Sequence, residues 1–329
     1  MTRQITPFIL LLLSASMVLP GWAADKDKAA HTSSQSAGPD FQLQGEYKGT
    51  AQTEDGQQVF GAQVIALGKG NFRVVGYHGG LPGDGWQRGD QIHSVESKVD
   101  DGRLRATIEQ VEIEVANDKL LVISDGQTIG TLNKVTRKSP TLGARPPQDA
   151  IVLFDGSSAE HFDNGKLVNQ KWLGATNCAS KKKLADHQLH IEFRTPFMPE
   201  ARGQGRGNSG VYLQGRYECQ VLDSFGLEGK NNECGGIYSI AQPIVNMCLP
   251  PLSWQTYDID FTAARYDDAG KKTAHARVTI RHNGVVIHDD LELPHGTPGY
   301  HAEGPQPDSL FLQDHGNPVV FRNIWVVEK

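Results

Sequence analysis

Residues 276–291 read ARVTIRHNGVVIHDDL, and this stretch decides the fold class. Two runs rich in β-branched residues, 276–281 and 285–291, flank His282-Asn283-Gly284. An Asn-Gly pair supplies the positive φ angles that a type I′ hairpin turn requires. The stretch therefore predicts two antiparallel strands joined by a tight turn.

The same pattern of short apolar runs and turn signals extends to both sides of this hairpin. Strand-like segments precede it at 189–193, 211–222 and 257–261 and follow it at 309–312 and 319–327. Amphipathic helices are almost absent between them, which is typical of a β-sandwich or jelly roll. We therefore expect an all-β chain whose second half is a jelly-roll sandwich, with a concave sheet face suited to a sugar.

A smaller β-rich region precedes this sandwich. Turn signals at 68–70, 100–102 and 117–119 separate its predicted strands, the first of which is FQLQG at 41–45. The proline-rich stretch after it predicts an extended linker. The expected organisation is a signal peptide at 1–23, a flexible linker at 24–40, a small antiparallel β domain at 41–136, a linker at 137–149 and the jelly-roll domain at 150–329.

Composition excludes several classes of protein. The 329 residues carry 36 Gly and 17 Pro, and the formal net charge of −6 argues against a nucleic-acid-binding protein. Residues 205–210 match G-x-G-x-x-G, but a strand-like segment follows them where a dinucleotide site needs a helix. We therefore expect neither nucleic acid nor nucleotide as a partner.

The N-terminus predicts export. Arg3 precedes an apolar run from Pro7 to Leu19, and Gly21-Trp22-Ala23 supplies small residues at the −3 and −1 positions of a cleavage site. The alternative is an uncleaved membrane anchor. Cleavage would leave a secreted or periplasmic protein without a transmembrane span, since no later apolar run is long enough.

Export makes the four cysteines candidates for disulfides. All of them lie in the second half, and four cysteines allow three pairings. We expect Cys234–Cys248, which closes a short loop, together with Cys178–Cys219. A zinc site is the alternative, but the chain has no C-x-x-C pair and the spacings fit no zinc module.

One predicted strand carries candidate catalytic groups. Glu218 and Gln220 are two residues apart, so their side chains share one face of the strand, whereas Asp223 points away unless a bulge intervenes. This E-x-Q-x-x-D pattern resembles the E-x-D-x-x-E strand of laminarinase-type glycosidases. The alternative is an amphipathic strand whose polar face is merely solvated.

Six motifs in order resemble the 3-keto-disaccharide hydrolase domain family, and the resemblance covers about residues 150–329. They lie at Asn208–Gln214, Tyr217–Ser224, Gly235–Tyr238, Trp254–Tyr257, His282–Val285 and Leu312–Trp325.

The resemblance implies a concanavalin-like jelly roll that cleaves 3-keto-glycosides. A ketone at sugar C3 acidifies the C2–H bond, so a base can form an enolate that expels the C1 glycosidic oxygen, and water then adds to the enone. This chemistry requires no cofactor. A divalent cation at Asp314 or Glu218 is compatible with the sequence, although no ligand spacing demands one.

Within that resemblance, individual residues acquire expected roles. Glu218, Asp223 and His315 are the candidate bases or acids, because a base must titrate near the working pH. The remaining candidates are expected to contact the carbohydrate through hydrogen bonds, charge or an aromatic face, and they are Arg206, Asn208, Gln220, Tyr238, Trp254, Gln313 and Asp314.

Two other classes of function remain open at this point. Glu218 and Asp223 could be the acid and nucleophile of a conventional glycoside hydrolase acting on an unoxidised substrate. A jelly roll can also bind sugars without turnover, as a lectin-like module does. A product assay with a 3-keto-glucoside separates the three hypotheses.

Overall fold

β-Structure dominates residues 29–329, which the computed structural model describes. The predicted signal peptide, residues 1–23, lies outside the described residues, as do residues 24–28 of the predicted first linker. None of the helices in the described part of the chain is long and apolar enough to cross a membrane.

Eight antiparallel strands of the N-terminal half close into a barrel. The strands of this half are β1 (Gly45–Thr53), β2 (Gly56–Gly68), β3 (Asn71–His78), β4 (Leu81–Pro82), β5 (Gly85–Trp86), β6 (Ile92–Asp100), β7 (Arg103–Ile108), β8 (Val111–Ala116), β9 (Lys119–Ser124) and β10 (Gln127–Val135). Their order around the barrel is β1-β10-β9-β8-β7-β6-β3-β2, while β4 and β5 pair with each other outside it.

The turns of the barrel lie where the sequence predicts them. Lys69, Asp101 and Asn117 adopt positive φ angles of 56°, 46° and 50° between consecutive strands. Tight hairpins require this left-handed backbone, which Asn, Asp and Gly adopt at least cost. The alternating side chains of the strands then fill the barrel with apolar residues such as Phe72 and Val115.

The segment that precedes the barrel differs from the prediction. A 3₁₀ turn at Ser34–Ser36 and a short helix, α1 (Gly38–Leu43), replace the strand expected at 41–45. Pro39 in the first turn favours the helix, because its fixed φ suits that position and its missing N–H costs no hydrogen bond there. Phe41 then packs edge-on against Phe197 of the second half, with ring centroids 5.3 Å apart.

The C-terminal half is a sandwich of two antiparallel sheets. Its strands are β11 (Ile151–Phe154), β12 (Phe162–Asp163), β13 (Leu167–Val168), β14 (Trp172–Gly174), β15 (Cys178–Leu184), β16 (His187–Arg194), β17 (Ser209–Leu213), β18 (Tyr217–Val221), β19 (Gln255–Thr262), β20 (Arg265–Tyr266), β21 (Lys272–Ala274), β22 (Ala276–His282), β23 (Val285–Leu293), β24 (Asp308–Leu312) and β25 (Val320–Glu328). A 3₁₀ turn at Gly203–Gly205 precedes β17.

The two sheets enclose one apolar core. The larger sheet has the order β13-β14-β25-β16-β19-β22-β23, with β11 also paired to β25, and the five-stranded sheet has the order β12-β15-β24-β17-β18. Asn283 and Gly284 form the predicted turn between β22 and β23, with φ angles of 50° and 82°. The all-β class is thus confirmed.

Within residues 29–329 the four cysteines are buried free thiols, so the predicted disulfides are wrong. Cys178 aligns with Leu312, Leu312 with Val211, and Val211 with Cys219, which separates the two thiols by three strand spacings. That is about 14 Å between their Cα atoms, whereas a disulfide needs less than about 7 Å.

The predicted pair Cys234–Cys248 is likewise not a disulfide. The thiol of Cys234 lies 3.3 Å from the hydroxyl of Tyr257, and the thiol of Cys248 donates to the carbonyl of Leu222 at 3.5 Å. The two thiols also lie within hydrogen-bond reach of each other, so the predicted partners are neighbours in the core although no bond joins them.

The barrel and the sandwich share contacts along several segments. Phe225 of the sandwich joins Ile65, Val75 and Tyr77 of the barrel in a buried cluster. The segment between the two halves is itself docked, because Thr141 donates to Asp258 at 2.6 Å and the N–H of Gly143 donates to Glu192 at 2.6 Å. Residues 137–149 therefore pack against the sandwich along part of their length.

Replacing Phe225 with alanine should reduce the free energy of unfolding by about 3–5 kcal/mol, the usual cost of emptying a buried phenylalanine site. Phe225 is only 2% exposed, and urea unfolding measures the loss. Val59→Ala is the matched control, since Val59 is 41% exposed on the barrel and should change little. A loss below about 1 kcal/mol for Phe225→Ala would contradict a shared core.

Candidate functional site

The five-stranded sheet presents two chemically different faces. Val211, Tyr217 and Cys219 point into the apolar core of the sandwich. Glu218 and Gln220 alternate with these core residues in β18, so their side chains lie on the outer face, as the sequence predicts. This outer face carries the candidate site.

Glu218 is a buried carboxyl group on that face. The residue is only 3% exposed, and burial raises the pKa of its carboxyl from 4.5 to about 7. A hydrogen bond with Tyr212 on the adjacent strand lowers the pKa and offsets part of this effect. Since desolvation dominates, Glu218 can exchange a proton near neutral pH.

Small and polar neighbours keep the carboxyl in place. A Cβ atom on Gly210 would lie 2.5 Å from Oε1 of Glu218, so only glycine leaves room for the carboxyl. The N–H of Glu218 donates to the hydroxyl of Thr297 at 2.9 Å, and the N–H of Tyr238 donates to the Glu218 carbonyl at 3.2 Å. The predicted site residue Tyr238 thus lies beside Glu218.

Three amide side chains surround the same face, and two of them, Asn208 and Gln220, bond to Gln204. Asn208 Nδ2 donates to the backbone carbonyl of Gln204 at 2.8 Å and to its Oε1 at 3.0 Å, and Gln220 Nε2 donates to the same Oε1 at 3.1 Å. On the other side, Gln313 Nε2 donates to the Tyr212 hydroxyl at 3.1 Å. The structure therefore brings together three predicted binding residues.

Within residues 29–329 these amides leave three buried oxygens without a hydrogen-bond partner: Asn208 Oδ1, Gln220 Oε1 and Gln313 Oε1. The backbone carbonyl of Gln204 can only accept, so it fixes the orientation of the Asn208 amide. An unpaired buried polar atom costs about 1–3 kcal/mol. A ligand with several hydroxyl donors would relieve that cost, and a carbohydrate is such a ligand.

A loop covers this outer face. The N–H of Thr297 donates to the carbonyl of Arg216 at 2.8 Å, and the guanidinium of Arg216 donates to the carbonyls of Ala302 and Gly304. Gly299 packs so closely on the ring of Tyr212 that a Cβ atom there would lie 2.3 Å from it. The loop shields Glu218 from water and contributes to its desolvation.

Arg206 and Asp223 form a buried ion pair, with 2.6 Å between Nε and Oδ2. Arg206 Nη1 also donates to the carbonyl of Ala66 in the barrel at 3.1 Å, while its Nη2 is buried with no partner in the described part of the chain. No hydrogen bond or ion pair in residues 29–329 joins either residue to Glu218. Their observed contacts connect the loop before β17 to the barrel.

The remaining predicted site residues are Asp314, His315 and Trp254, none of which is hydrogen-bonded to Glu218 in the described part of the chain. His315 is half-buried and Asp314 exposed in the turn after β24, where Asp314 accepts from the N–H of Gly316 at 2.8 Å. Trp254 precedes β19 in the larger sheet, with the guanidinium of Arg322 4.0 Å from its ring centroid.

Sequence reasoning missed Gln204, Tyr212 and Gly210. Tyr212 and Gly210 lie inside a quoted motif, and the cross-strand pairs Gly210–Gln220 and Tyr212–Glu218 place them beside the carboxyl group. Pairing β17 with β18 across the short turn would have indicated both residues. Gln204 has no such signal, because a 3₁₀ turn outside the sheet positions it.

A metal site has little support from the side-chain arrangement. Among residues 29–329, no three His, Cys, Asp or Glu side chains come close enough together to hold a metal ion.

The raised pKa of Glu218 predicts a pH-dependent stability. Between pH 4.5 and about 7 the folded protein keeps a proton that the unfolded chain releases, so the free energy of unfolding should fall as the pH rises, by about 3 kcal/mol in all. Glu218→Gln should remove this slope and be the more stable form at pH 8. Urea unfolding across this pH range measures the effect.

The exposed carboxylate of Glu228 provides the control, since Glu228→Gln should keep the slope of the natural protein. Parallel pH profiles for Glu218→Gln and the natural protein would contradict a desolvated Glu218.

Two of the solved structures that are similar to this chain come from one organism. A crystal structure of a candidate glycosyl hydrolase from Parabacteroides distasonis ATCC 8503 is 32% identical, with a TM-score of 0.51, over 56% of this chain and 85% of that chain. Another candidate glycosyl hydrolase from the same organism is 17% identical, with a TM-score of 0.41, over 55% of this chain and 94% of that chain. Comparison with curated proteins gives no match.

Comparison with family models agrees with the sequence resemblance. The model of the 3-keto-alpha-glucoside-1,2-lyase-like domain matches residues 149–327, which is more than half of the chain and spans the whole candidate site. The chain therefore belongs to the family of 3-keto-alpha-glucoside-1,2-lyase-like domains.

Proposed function

We propose that this protein is a carbohydrate-active enzyme that cleaves 3-keto-glycosides by elimination and hydration. The observation that carries the proposal is the desolvated carboxyl of Glu218, surrounded by unpaired amide oxygens on one sheet face. Membership of the lyase-like family and the likeness to a candidate glycosyl hydrolase support a glycoside as substrate.

Glu218 is proposed as the base. Its carboxylate takes the proton from sugar C2, and the electron pair of that C–H bond forms an enolate with the C3 ketone. The enolate then expels the C1 glycosidic oxygen, which takes up the proton held by Glu218. Water adds to the resulting enone, with its hydroxyl at C1 and a proton at C2. A pKa of about 7 suits both the acceptance and the return of a proton.

Tyr212 is proposed as the donor to the enolate oxygen. Burial and the neighbouring Glu218 raise the pKa of its phenol well above the ordinary value, so it stays protonated at neutral pH. A fixed donor at the oxygen where charge develops stabilises the transition state more than the ground state. The amide oxygens of Asn208, Gln220 and Gln313 would accept hydrogen bonds from the other hydroxyl groups of the sugar.

The conventional glycosidase hypothesis has less support. It requires Asp223 as the second carboxyl group, but Oδ2 of Asp223 accepts from Arg206 at 2.6 Å. Releasing it would leave a guanidinium buried without its counter-ion, which is costly. We assign Arg206 and Asp223 to positioning the loop that carries Gln204 and Asn208.

The sandwich topology and the location of the protein belong to the same proposal. We infer a concanavalin-like jelly roll from the family and from the two antiparallel sheets with sugar-suited groups on one outer face. The apolar N-terminal run supports export to the periplasm or the medium.

Glu218→Gln should lower turnover of a 3-keto-glucoside by about 10²–10⁴, the usual share of general base catalysis, while substrate binding persists. Deuterium at C2 should slow the natural protein if proton removal limits the rate, and cleavage in D₂O should introduce label at C2. Product analysis by mass spectrometry and NMR measures both effects.

His315→Ala tests the other candidate base: turnover within a few-fold of the natural protein would support Glu218, whereas a loss of about 10²–10⁴ would transfer the role of base to His315. Full retention of the C2 hydrogen during cleavage would refute elimination. Equal cleavage of the unoxidised glucoside would refute the substrate assignment, and binding without any product would favour the lectin-like alternative.

A further inference from the structure

A cleft lies between the barrel and the sandwich, apart from the sheet face that carries Glu218. Its volume is about 510 Å³, within the range of small-molecule sites, which often form at domain interfaces. Glu218 is not among the residues that line it, and both halves of the chain contribute walls. The lining residues used below are Tyr77, Trp86, Arg88, Ile92, Glu228 and Lys230.

The barrel wall of the cleft is aromatic and apolar. Trp86 is half-buried, its ring lies 5.3 Å from that of Tyr77, and its indole N–H donates to the carbonyl of Asp90 at 3.3 Å. These contacts fix the indole in one orientation. Beside it, Ile92 is 51% exposed although it lies inside a concave surface. Such an arrangement offers a flat apolar surface to a ring-shaped ligand.

The charges around the cleft balance. Three cationic and three anionic side chains line it, namely Arg73, Arg88, Lys230, Asp90, Glu228 and Glu233. A site for a phosphate or an acidic ligand would carry a surplus of positive charge. Charged side chains of both signs also supply hydrogen-bond donors and acceptors, and this combination with an aromatic surface suits a neutral polyhydroxylated ligand.

The sandwich wall of the cleft is held in place before any ligand binds. The guanidinium of Arg88 donates to the carbonyls of Glu228, Gly229 and Pro243 at 2.9–3.1 Å, and to that of Ile244 at 3.2 Å. Phe225 anchors the start of the same wall in the cluster shared with the barrel. A preformed cleft loses little conformational entropy when a ligand binds.

We propose that this cleft is a second carbohydrate-binding site, for a neutral oligosaccharide, distinct from the site around Glu218. It exists only where the barrel meets the sandwich, so it gives the N-terminal half a binding function. The proposal concerns unoxidised sugar and stands apart from the cleavage of 3-keto-glycosides.

The test measures binding of maltotriose and cellotriose to the Glu218→Gln variant by calorimetry, with trigalacturonic acid as the charged counterpart. At least one of the neutral sugars should bind. Adding Trp86→Ala should lower the affinity for that sugar at least tenfold. Ile92→Arg places a bulky charged chain in the cleft from an exposed position, so it should have the same effect without disturbing the core.

Val59→Arg is the matched control, because Val59 is an exposed barrel residue that does not line the cleft. Unchanged affinity in both Trp86→Ala and Ile92→Arg would place binding elsewhere and overturn the proposal. Failure of both neutral sugars to bind would overturn it as well. Stronger binding of the charged sugar would contradict the neutral class. None of these outcomes depends on whether 3-keto-glycosides are cleaved.

Discussion

The desolvation of the Glu218 carboxyl is the interaction on which the candidate site depends. A carboxylate on the solvated face of a strand would titrate near 4.5 and would be a weak base at neutral pH. The covering loop, anchored through Thr297 and Arg216, removes that water. Gly210 leaves the space that the buried carboxyl then occupies. Reactivity and fold are linked here, because the contacts that exclude water also set the pKa.

The barrel contributes to this arrangement through the loop that carries the amides. Arg206 connects that loop to Ala66 in β2, and its charge is neutralised by Asp223. Arg202 adds a second contact of the same kind, donating to the carbonyl of Leu67. Gln204, to which Asn208 and Gln220 bond, lies between these two arginines in sequence. The N-terminal half therefore positions groups of the site, although the family model begins only at residue 149.

Features that follow from local backbone geometry could be predicted from the sequence. The shared face of Glu218 and Gln220 follows from the two-residue period of a strand. The turn at Asn283-Gly284 follows from the preference of these two residues for the positive φ angles that they adopt. Features that depend on strand order could not. Cys178 and Cys219 are separated by two intervening strands, an arrangement that residue spacing does not reveal. Gln204 acquires its role only when a turn outside the sheet reaches over β18.

Hydrogen-bond partners distinguish polar groups of the same residue type around the candidate site. Asp223 and Glu218 are both buried carboxyls, yet the first has a guanidinium partner, whereas the second has a phenol and a pKa raised by burial. The amides follow the same division: Oδ1 of Asn246 accepts from the N–H of Cys248, while the oxygens of Asn208 and Gln220 have no partner among the described residues. A fold keeps unsatisfied buried acceptors where their cost is offset by a ligand. Their grouping around Glu218 therefore supports the proposed substrate site more specifically than the acidic residues alone.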